Sequence, residues 1–252
     1  MIEVSPVPIF TDNYIWVLHN GRSAVAVDPG DAEPLRQWLQ QKQLHLAAIL
    51  LTHHHPDHTG GVTALLADRA VPVYGPPDIG VVTHPVADKT RVDLADLALS
   101  LEVMAVPGHT LDHLAYYSAP MLFCGDTLFA CGCGRLFEGT AAMLWQSLSR
   151  LSQLPDDTLV YCTHEYTLSN QRFALAVEPG NPQLQERARA DALRRQQGKP
   201  TLPTTIKEER ATNPFLRCEV PEVVVAAQQR EPDAVKPVDV FATIRRWKDG
   251  FR

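Results

Sequence analysis

Leu46-Ala47-Ala48-Ile49-Leu50-Leu51 runs directly into Thr52-His53-His54-His55-Pro56-Asp57-His58, and the reading of that junction decides the fold. The first six residues form an apolar run of the length of a buried strand. The next seven hold four imidazoles and a carboxylate with no hydrophobic residue among them, a poor way to build a core and a good way to hold a metal. His53 and His55, two apart in extended backbone, put their rings on one side, as two ligands of one ion must. Pro56 drives the residue before it toward extended geometry, so His55 stays outside a helix that carries Asp57 and His58 near its start. Five such residues exceed what one tetrahedral ion uses, so two ions are expected, roughly 3.5–4 Å apart as in two-metal hydrolases. Imidazoles with a carboxylate suit zinc, iron or manganese more than copper.

Upstream of this junction, residues 4–10, 14–19 and 24–28 read as short strands, the first punctuated by Pro6 and Pro8 and therefore near an edge. Asp31 is a good N-cap for a helix in which Leu35, Trp38 and Leu39 keep the helical period. Strand, helix, strand then places the histidine cluster at the C-terminal end of 46–51, where sheets with helices on a face build their sites. Downstream, a short helix is expected at 62–68, a strand at 71–74, and one or two strands within 97–106. Residues 75–95 are turn-rich and give no firm element. Strands follow at 114–117, 121–124 and 158–162, with a helix at 141–154. Several of these apolar runs end in the same way, in Gly108-His109-Thr110, Gly125-Asp126-Thr127 and Thr163-His164.

From 168 to about 197 the composition is helical and rich in Arg172, Arg187, Arg189, Arg194 and Arg195, with a break at 178–182. This reads as a helical appendage with its own basic face, joined by a Pro-containing linker at 199–203 to a final amphipathic segment at 238–247. His19 in a strand, His45 at a helix end and His84 in a polar loop have nothing acidic beside them and read as ordinary surface or packed residues.

The 252 residues, 45% hydrophobic and 21% charged, suffice for one large domain, alone or with a smaller appendage. A net charge of -6 excludes a general attraction to nucleic acid or anionic lipid, so an anionic ligand needs a local basic cluster. No apolar run approaches the roughly 20 residues of a membrane span, and the N-terminus lacks a basic stretch followed by an apolar one. Five cysteines form no disulfide framework, and their odd number agrees with a reducing compartment. The expectation is a cytoplasmic protein with free, partly buried thiols. Cys131-Gly132-Cys133 lacks the spacing of a zinc-ribbon or thioredoxin motif.

The cluster at 52–58, together with Gly108-His109-Thr110, Gly125-Asp126-Thr127 and Thr163-His164, resembles the metallo-β-lactamase superfamily. Asp12-Asn13-Tyr14, Val27-Asp28-Pro29-Gly30, the stretch Cys133 to Gly139, His164-Glu165-Tyr166-Thr167, Asn213-Pro214-Phe215 and Arg245-Arg246-Trp247-Lys248-Asp249 narrow the likeness to the glyoxalase II (hydroxyacylglutathione hydrolase) family. The resemblance spans essentially the whole chain and implies an α/β fold, the αβ/βα sandwich with a C-terminal helical region. It implies a catalytic domain at 1–166 and a helical region at 167–252 contributing to glutathione binding. It further implies that His53, His55 and His109 hold one divalent metal, that Asp57, His58 and His164 hold a second, and that Asp126 bridges them. Asp57 and Asp126 thereby count as catalytic, while His54 and His113 are left outside the ligand set. Zinc is the expected metal, with iron or manganese as the alternatives.

Arg135, Phe137, Tyr166, Arg245 and Lys248 are the implied contacts to the substrate, a small-molecule glutathione thioester, with neither nucleic acid nor membrane as partner. Arg135 and Phe137 stand where some members carry Lys and Tyr, keeping the charge and dropping a hydroxyl. On spacing alone, Arg245 and Lys248 also fit a solvated helix end whose cations favour the dipole. The implied reaction is hydrolysis of S-D-lactoylglutathione to D-lactate and glutathione in methylglyoxal detoxification, by a monomer. Two other readings are a persulfide dioxygenase-like enzyme with one iron and, more remotely, a non-catalytic metal-binding regulatory module.

Overall fold

Pro6 and Pro8 cannot donate to a ladder, and the strand that carries them, β1 (Glu3–Ile9), is the edge of a six-stranded sheet. The computed structural model describes residues 2–251. They divide into a first unit of residues 2–105 with Asp112–Gly125 and a second of Val106–Leu111 with residues 126–251.

In the first unit β1 pairs antiparallel with β2 (Asn13–His19), and β2 with β3 (Ser23–Val27). The chain then crosses through α1 (Ala32–Lys42), capped by the Asp31 carboxylate accepting from Glu33 N–H at 3.1 Å. It returns as β4 (His45–Leu50), parallel to β3. Past the histidine turn come α2 (Pro56–Thr59) and α3 (Val62–Asp68), then β5 (Val73–Gly75) and β6 (His84–Pro85), which extend the sheet in parallel. Leu35 and Leu39 of α1 and Val62 and Leu65 of α3 bury one apolar face against Val7, Ile9, Ile15, Val17 and Ile49 of the sheet. Each such side chain contributes about 1.5–3 kcal/mol when fully buried.

A second, antiparallel run in this unit comprises β7 (Arg91–Leu94), β8 (Leu99–Ala105), β9 (Leu114–Ser118) and β10 (Met121–Gly125). Fully buried Tyr116 of β9 donates its hydroxyl to Leu51 O at 2.7 Å, tying this run to the end of β4.

The second unit opens with the small hairpin β11 (Leu128–Phe129) and β12 (Gly132–Cys133), followed by α4 (Ala141–Ser152) and β13 (Leu159–Cys162). Helices α5 (Thr167–Val177) and α6 (Pro182–Gln196) lead to β14 (Thr204–Thr205), antiparallel to β13. The chain closes with α7 (Ile206–Thr212), α8 (Pro221–Gln228) and α9 (Pro237–Asp249). Its core is aromatic, with Phe173 5.9 Å from Phe215 and 5.2 Å from Trp247, and Phe215 5.7 Å from Phe241.

Several sequence expectations change here. Residues 75–95 hold β6 and β7, two elements too short for a periodic signal. His84 belongs to β6, with its ring 5.0 Å from Tyr74, and His45 starts β4 instead of ending a helix. Only one strand lies within 97–106, because Ala95–Leu97 is a 3₁₀ turn. All five thiols are free, as expected, and buried. Arg187 is not part of a basic face. It is buried in α6, with Nη1 2.8 Å from Glu209 Oε1 and donating also to Thr212 Oγ1. A buried pair of this kind costs about 3–5 kcal/mol when one partner is removed.

Candidate metal centre and substrate pocket

The first unit presents four of the expected ligands from one turn, and the local chain explains why. β4 ends at Leu50 and α2 begins at Pro56, with His55 at its N-cap (φ -59°, ψ 144°). Between them His53 Nε2 lies 3.0 Å from His55 Nδ1, near the roughly 3.3 Å between two nitrogens on one tetrahedral ion with bonds of about 2.0–2.1 Å. One turn on, His58 Nε2 lies 3.5 Å from Asp57 Oδ2. The turn places all four side chains close together, with the His53 ring centroid 4.6 Å from that of His55 and 4.1 Å from that of His58.

Each pair is braced by groups that the sequence reading did not place in the site. Asp28, buried at the end of β3 in a left-handed conformation (φ 53°), accepts from Thr52 N–H at 2.8 Å and from Thr52 Oγ1 at 2.7 Å. Its Oδ2 also lies 3.0 Å from His58 Nδ1. A carboxylate on one ring nitrogen fixes the tautomer and directs the other nitrogen, here Nε2, toward a metal. Asn13, at the start of β2, donates to Asp57 Oδ2 at 2.9 Å, and His113 stacks on His53 with centroids 4.5 Å apart. Asn13 and Asp28 stand out in the sequence as strand-end polar residues within two of the motifs that carry the family resemblance, without a role assigned to either. Gly125, which ends β10 at φ 48°, lies where a Cβ would overlap Thr52 Oγ1, so only glycine leaves room for the braced turn. His54 turns away, with Nδ1 3.0 Å from Asp112 Oδ2.

The second unit presents His109, Asp126 and His164, all buried. His109 Nδ1 lies 2.7 Å from Arg135 O. A carbonyl only accepts, so Nδ1 carries a proton and Nε2 is the nitrogen left to face the centre. His109 Nε2 lies 3.6 Å from Asp126 Oδ2, and His164 Nε2 approaches the same oxygen at 3.3 Å. Imidazole nitrogens converging with a carboxylate in a buried site are a donor set of the kind that zinc and related ions take. The donor sets of both units therefore fit divalent metal. Gly134 admits this arrangement, since a Cβ there would overlap the Asp126 carbonyl.

His109, Asp126 and the expected substrate residues line one cavity of about 340 Å³ in the second unit. Tyr166 stacks on His164 at 4.6 Å with an interplanar angle of 7°, and Phe137 meets His109 edge-on at 5.2 Å. Arg135 is exposed, its Nε 3.3 Å from Asp249 Oδ1. Arg245 is buried and donates from Nη1 to Cys133 O at 3.0 Å and from Nη2 to Asp249 Oδ1 at 3.1 Å. It therefore holds the loop that carries Arg135 as well as bordering the cavity. Lys248 Nζ donates to Ser169 O at 3.4 Å, and burial beside Arg245 and Arg172 pushes its ammonium down to about 8.

The far wall rests on a buried network. Asn213 Nδ2 donates to Gly132 O at 2.9 Å and Phe129 O at 3.2 Å, and Glu209 Oε2 accepts from Cys131 N–H at 2.8 Å. The motif Asn213-Pro214-Phe215 is thus structural support for the β11–β12 hairpin. Burial raises the Cys133 thiol to about 11 and the Cys131 thiol to about 12, which removes both as nucleophiles near neutral pH.

The sequence profile of the metallo-β-lactamase superfamily matches residues 9–164, and that of the hydroxyacylglutathione hydrolase C-terminus matches residues 165–251. A hydroxyacylglutathione hydrolase of Nitrosomonas europaea is 50% identical over 100% of this chain and 97% of its own. Among solved structures, the BLEG-1 B3 metallo-β-lactamase superposes with a TM-score of 0.64 at 27% identity, covering 86% of this chain and 99% of that one. ETHE1 from Myxococcus xanthus, at 24% identity, shares the fold with a TM-score of 0.65 over 98% of each chain. The α/β architecture is accordingly the metallo-β-lactamase fold with a C-terminal helical region. Matched by these two profiles in succession and half identical to a full-length relative, the chain belongs to the hydroxyacylglutathione hydrolase family of the metallo-β-lactamase superfamily.

Proposed function

We propose that the protein hydrolyses S-D-lactoylglutathione to D-lactate and glutathione, as a cytoplasmic monomer in methylglyoxal detoxification. The observation that carries this reading is the cavity of about 340 Å³ whose lining joins His109 and Asp126 to the cations Arg135, Arg245 and Lys248. A neutral or apolar thioester would have no use for those charges, whereas glutathione brings two carboxylates. In this reading residues 1–166 supply the catalytic domain, and 167–252 complete glutathione binding. His53, His55 and His109 would hold one ion, Asp57, His58 and His164 the other, and Asp126 would serve both. Zinc is the ion best suited to these ligands, with iron or manganese as the alternatives.

Divalent ions held there supply Lewis acidity, making a water nucleophilic near neutral pH and offsetting negative charge on the acyl oxygen. The chain's own residues do the rest. Asp28 and the Arg135 carbonyl hold His58 and His109 in the tautomers that leave Nε2 as donor. Arg135 and Lys248 take the glutathione carboxylates, and Arg245 holds the Arg135 loop through Cys133 O and Asp249. Tyr166 and Phe137, against His164 and His109, line the path of the thioester. The leaving thiolate, with an ordinary thiol pKa of about 8.5, departs without a strong general acid. No side-chain nucleophile is needed: the cavity thiol, Cys133, is held protonated, and Thr127 Oγ1 donates to Val106 O at 3.4 Å.

Metal-loaded protein should abolish the thioester absorbance of S-D-lactoylglutathione with turnover, releasing one thiol per D-lactate. Metal-replete protein that leaves the absorbance unchanged would overturn the substrate assignment. Oxygen consumption with glutathione persulfide at one iron per chain would instead install the dioxygenase reading, which the full-length hydrolase relative does not favour.

A further inference from the structure

The first unit has a second cavity, at the end of the sheet opposite the histidine turn. Its floor is the start of β4, and β4 spans about 17 Å from His45 to Leu50 at roughly 3.3 Å per residue. The cavity measures about 500 Å³, against about 340 Å³ for the glutathione pocket. Two observations single it out.

The first is charge. Arg22, His45 and Arg69 line the cavity, and all three are exposed. The guanidinium groups of Arg22 and Arg69 have no carboxylate partner among the described residues. Arg36, by contrast, pairs with Asp68 at 2.5 Å. In a chain of net charge -6, two unneutralised guanidinium groups in one concavity are a local reversal of field. Asp96 is the only carboxylate in the lining, and its backbone carbonyl accepts from Asn20 Nδ2 at 2.8 Å.

The second is backbone. The parallel ladder of β3 and β4 slips between Ala24 and Val25, which face Leu46 and Ala48, so Ala47 is an extra residue in β4. Bulges are uncommon in parallel pairs and mark places where a strand is re-aimed toward a site. Here Ala47 lies in the floor of this cavity and also of an adjoining one of about 150 Å³, where Val25, Leu94 and Leu97 supply apolar surface. Pro72 and Asp96 are likewise shared by both. A cationic chamber thus adjoins a narrower one that is largely apolar, with Asp93 and Asp96 as its carboxylates.

We propose that this double cavity binds a small amphiphilic anion, with a phosphate-monoester or carboxylate head on Arg22 and Arg69 and a short apolar tail in the annex beside Ala47. Guanidinium groups suit such heads because their planar forks match two acidic oxygens.

Calorimetric titration of the full-length protein with hexyl phosphate, hexanoate, hexanol and inorganic phosphate tests the site. One saturable equivalent of hexyl phosphate or hexanoate is expected, with inorganic phosphate weaker and hexanol silent. The stronger of the two heads identifies the class. The Arg22→Ala/Arg69→Ala double variant should bind at least tenfold more weakly. It should hydrolyse lactoylglutathione with unchanged KM, since both side chains are exposed and lie outside the catalytic machinery. Leu97→Trp, which fills the annex, should weaken the hexyl ligands and spare inorganic phosphate. Absence of saturable binding, binding undiminished in the double variant, or hexyl phosphate competing with lactoylglutathione at a Ki equal to its Kd would each overturn the proposal.

Discussion

The two units solve the same chemical problem by opposite means. In the first, four of the proposed ligands come from six consecutive residues, 53–58, and their precision comes from side chains behind them: Asp28 on His58, Asn13 on Asp57 and His113 on His53. In the second, the proposed ligands come from three distant loops. Their precision comes from main chain and aromatic packing: Arg135 O on His109 and the Tyr166 ring on His164. A clustered motif brings donors together by covalent connection and needs outer partners to aim them. Dispersed donors are aimed by the strand ends that carry them and need the fold to gather them. The first unit is therefore sensitive to outer carboxylates, and the second to loop conformation and to the charges lining its cavity.

The sharpest test concerns Asp126, to which both His109 and His164 turn a ring nitrogen. Asp126→Ala should lower kcat/KM by at least about 10³-fold together with metal content read by elemental analysis. A fully metallated, active variant would remove the carboxylate from the centre. Next in size is Asp28→Asn, which keeps shape and loses the charge behind His58. Altered outer ligands typically cost about 10–100-fold in metal affinity or activity, so weaker metal binding in a competitive chelator titration is expected. If Asp28→Asn binds metal like the parent, the supposed dependence of the first unit on its outer carboxylate fails.

Lys248 gives a pH signature confined to the second unit. With its ammonium lowered to about 8, the charge is present below that pH and lost as pH rises through it. KM for the anionic substrate should rise severalfold between about pH 7 and 9, with kcat much less affected. Lys248→Arg keeps its charge throughout, so its KM should stay flat over the same range. A parallel rise in both proteins would assign the effect to another group. The smallest effect is expected from Phe137→Tyr, which supplies the hydroxyl found in some relatives. One added hydrogen bond at an exposed position contributes about 0.5–1.5 kcal/mol, so KM should fall by about two- to tenfold with kcat unchanged.

Much of the first unit was legible in the chain. The apolar run before Thr52 and the helix break imposed by Pro56 are local features whose consequences stay local, and the strand and the turn that presents 53–58 follow from them. β6 and β7 were not legible, because two to four residues with polar neighbours carry no period. Arg187 was misread for a related reason. Composition places an arginine on a helix but not the facing glutamate, and Glu209 is 22 positions away. The cavity residues of the second unit were reached through resemblance, since no local pattern joins Arg135, Tyr166 and Lys248.

By itself, then, the sequence determined the longer elements, the donor types and the turn that presents residues 53–58, because backbone preference and side-chain chemistry act over a few residues. Tertiary structure alone decided that Asp28 and Asn13 stand behind that turn and that Asn213 and Glu209 carry the hairpin wall of the cavity. It also decided that Arg245 is buried against Cys133 and Asp249 instead of ending a solvated helix. Those are long-range pairings of polar groups in which at least one partner is buried. Their energy is realised only when packing has removed water from that partner.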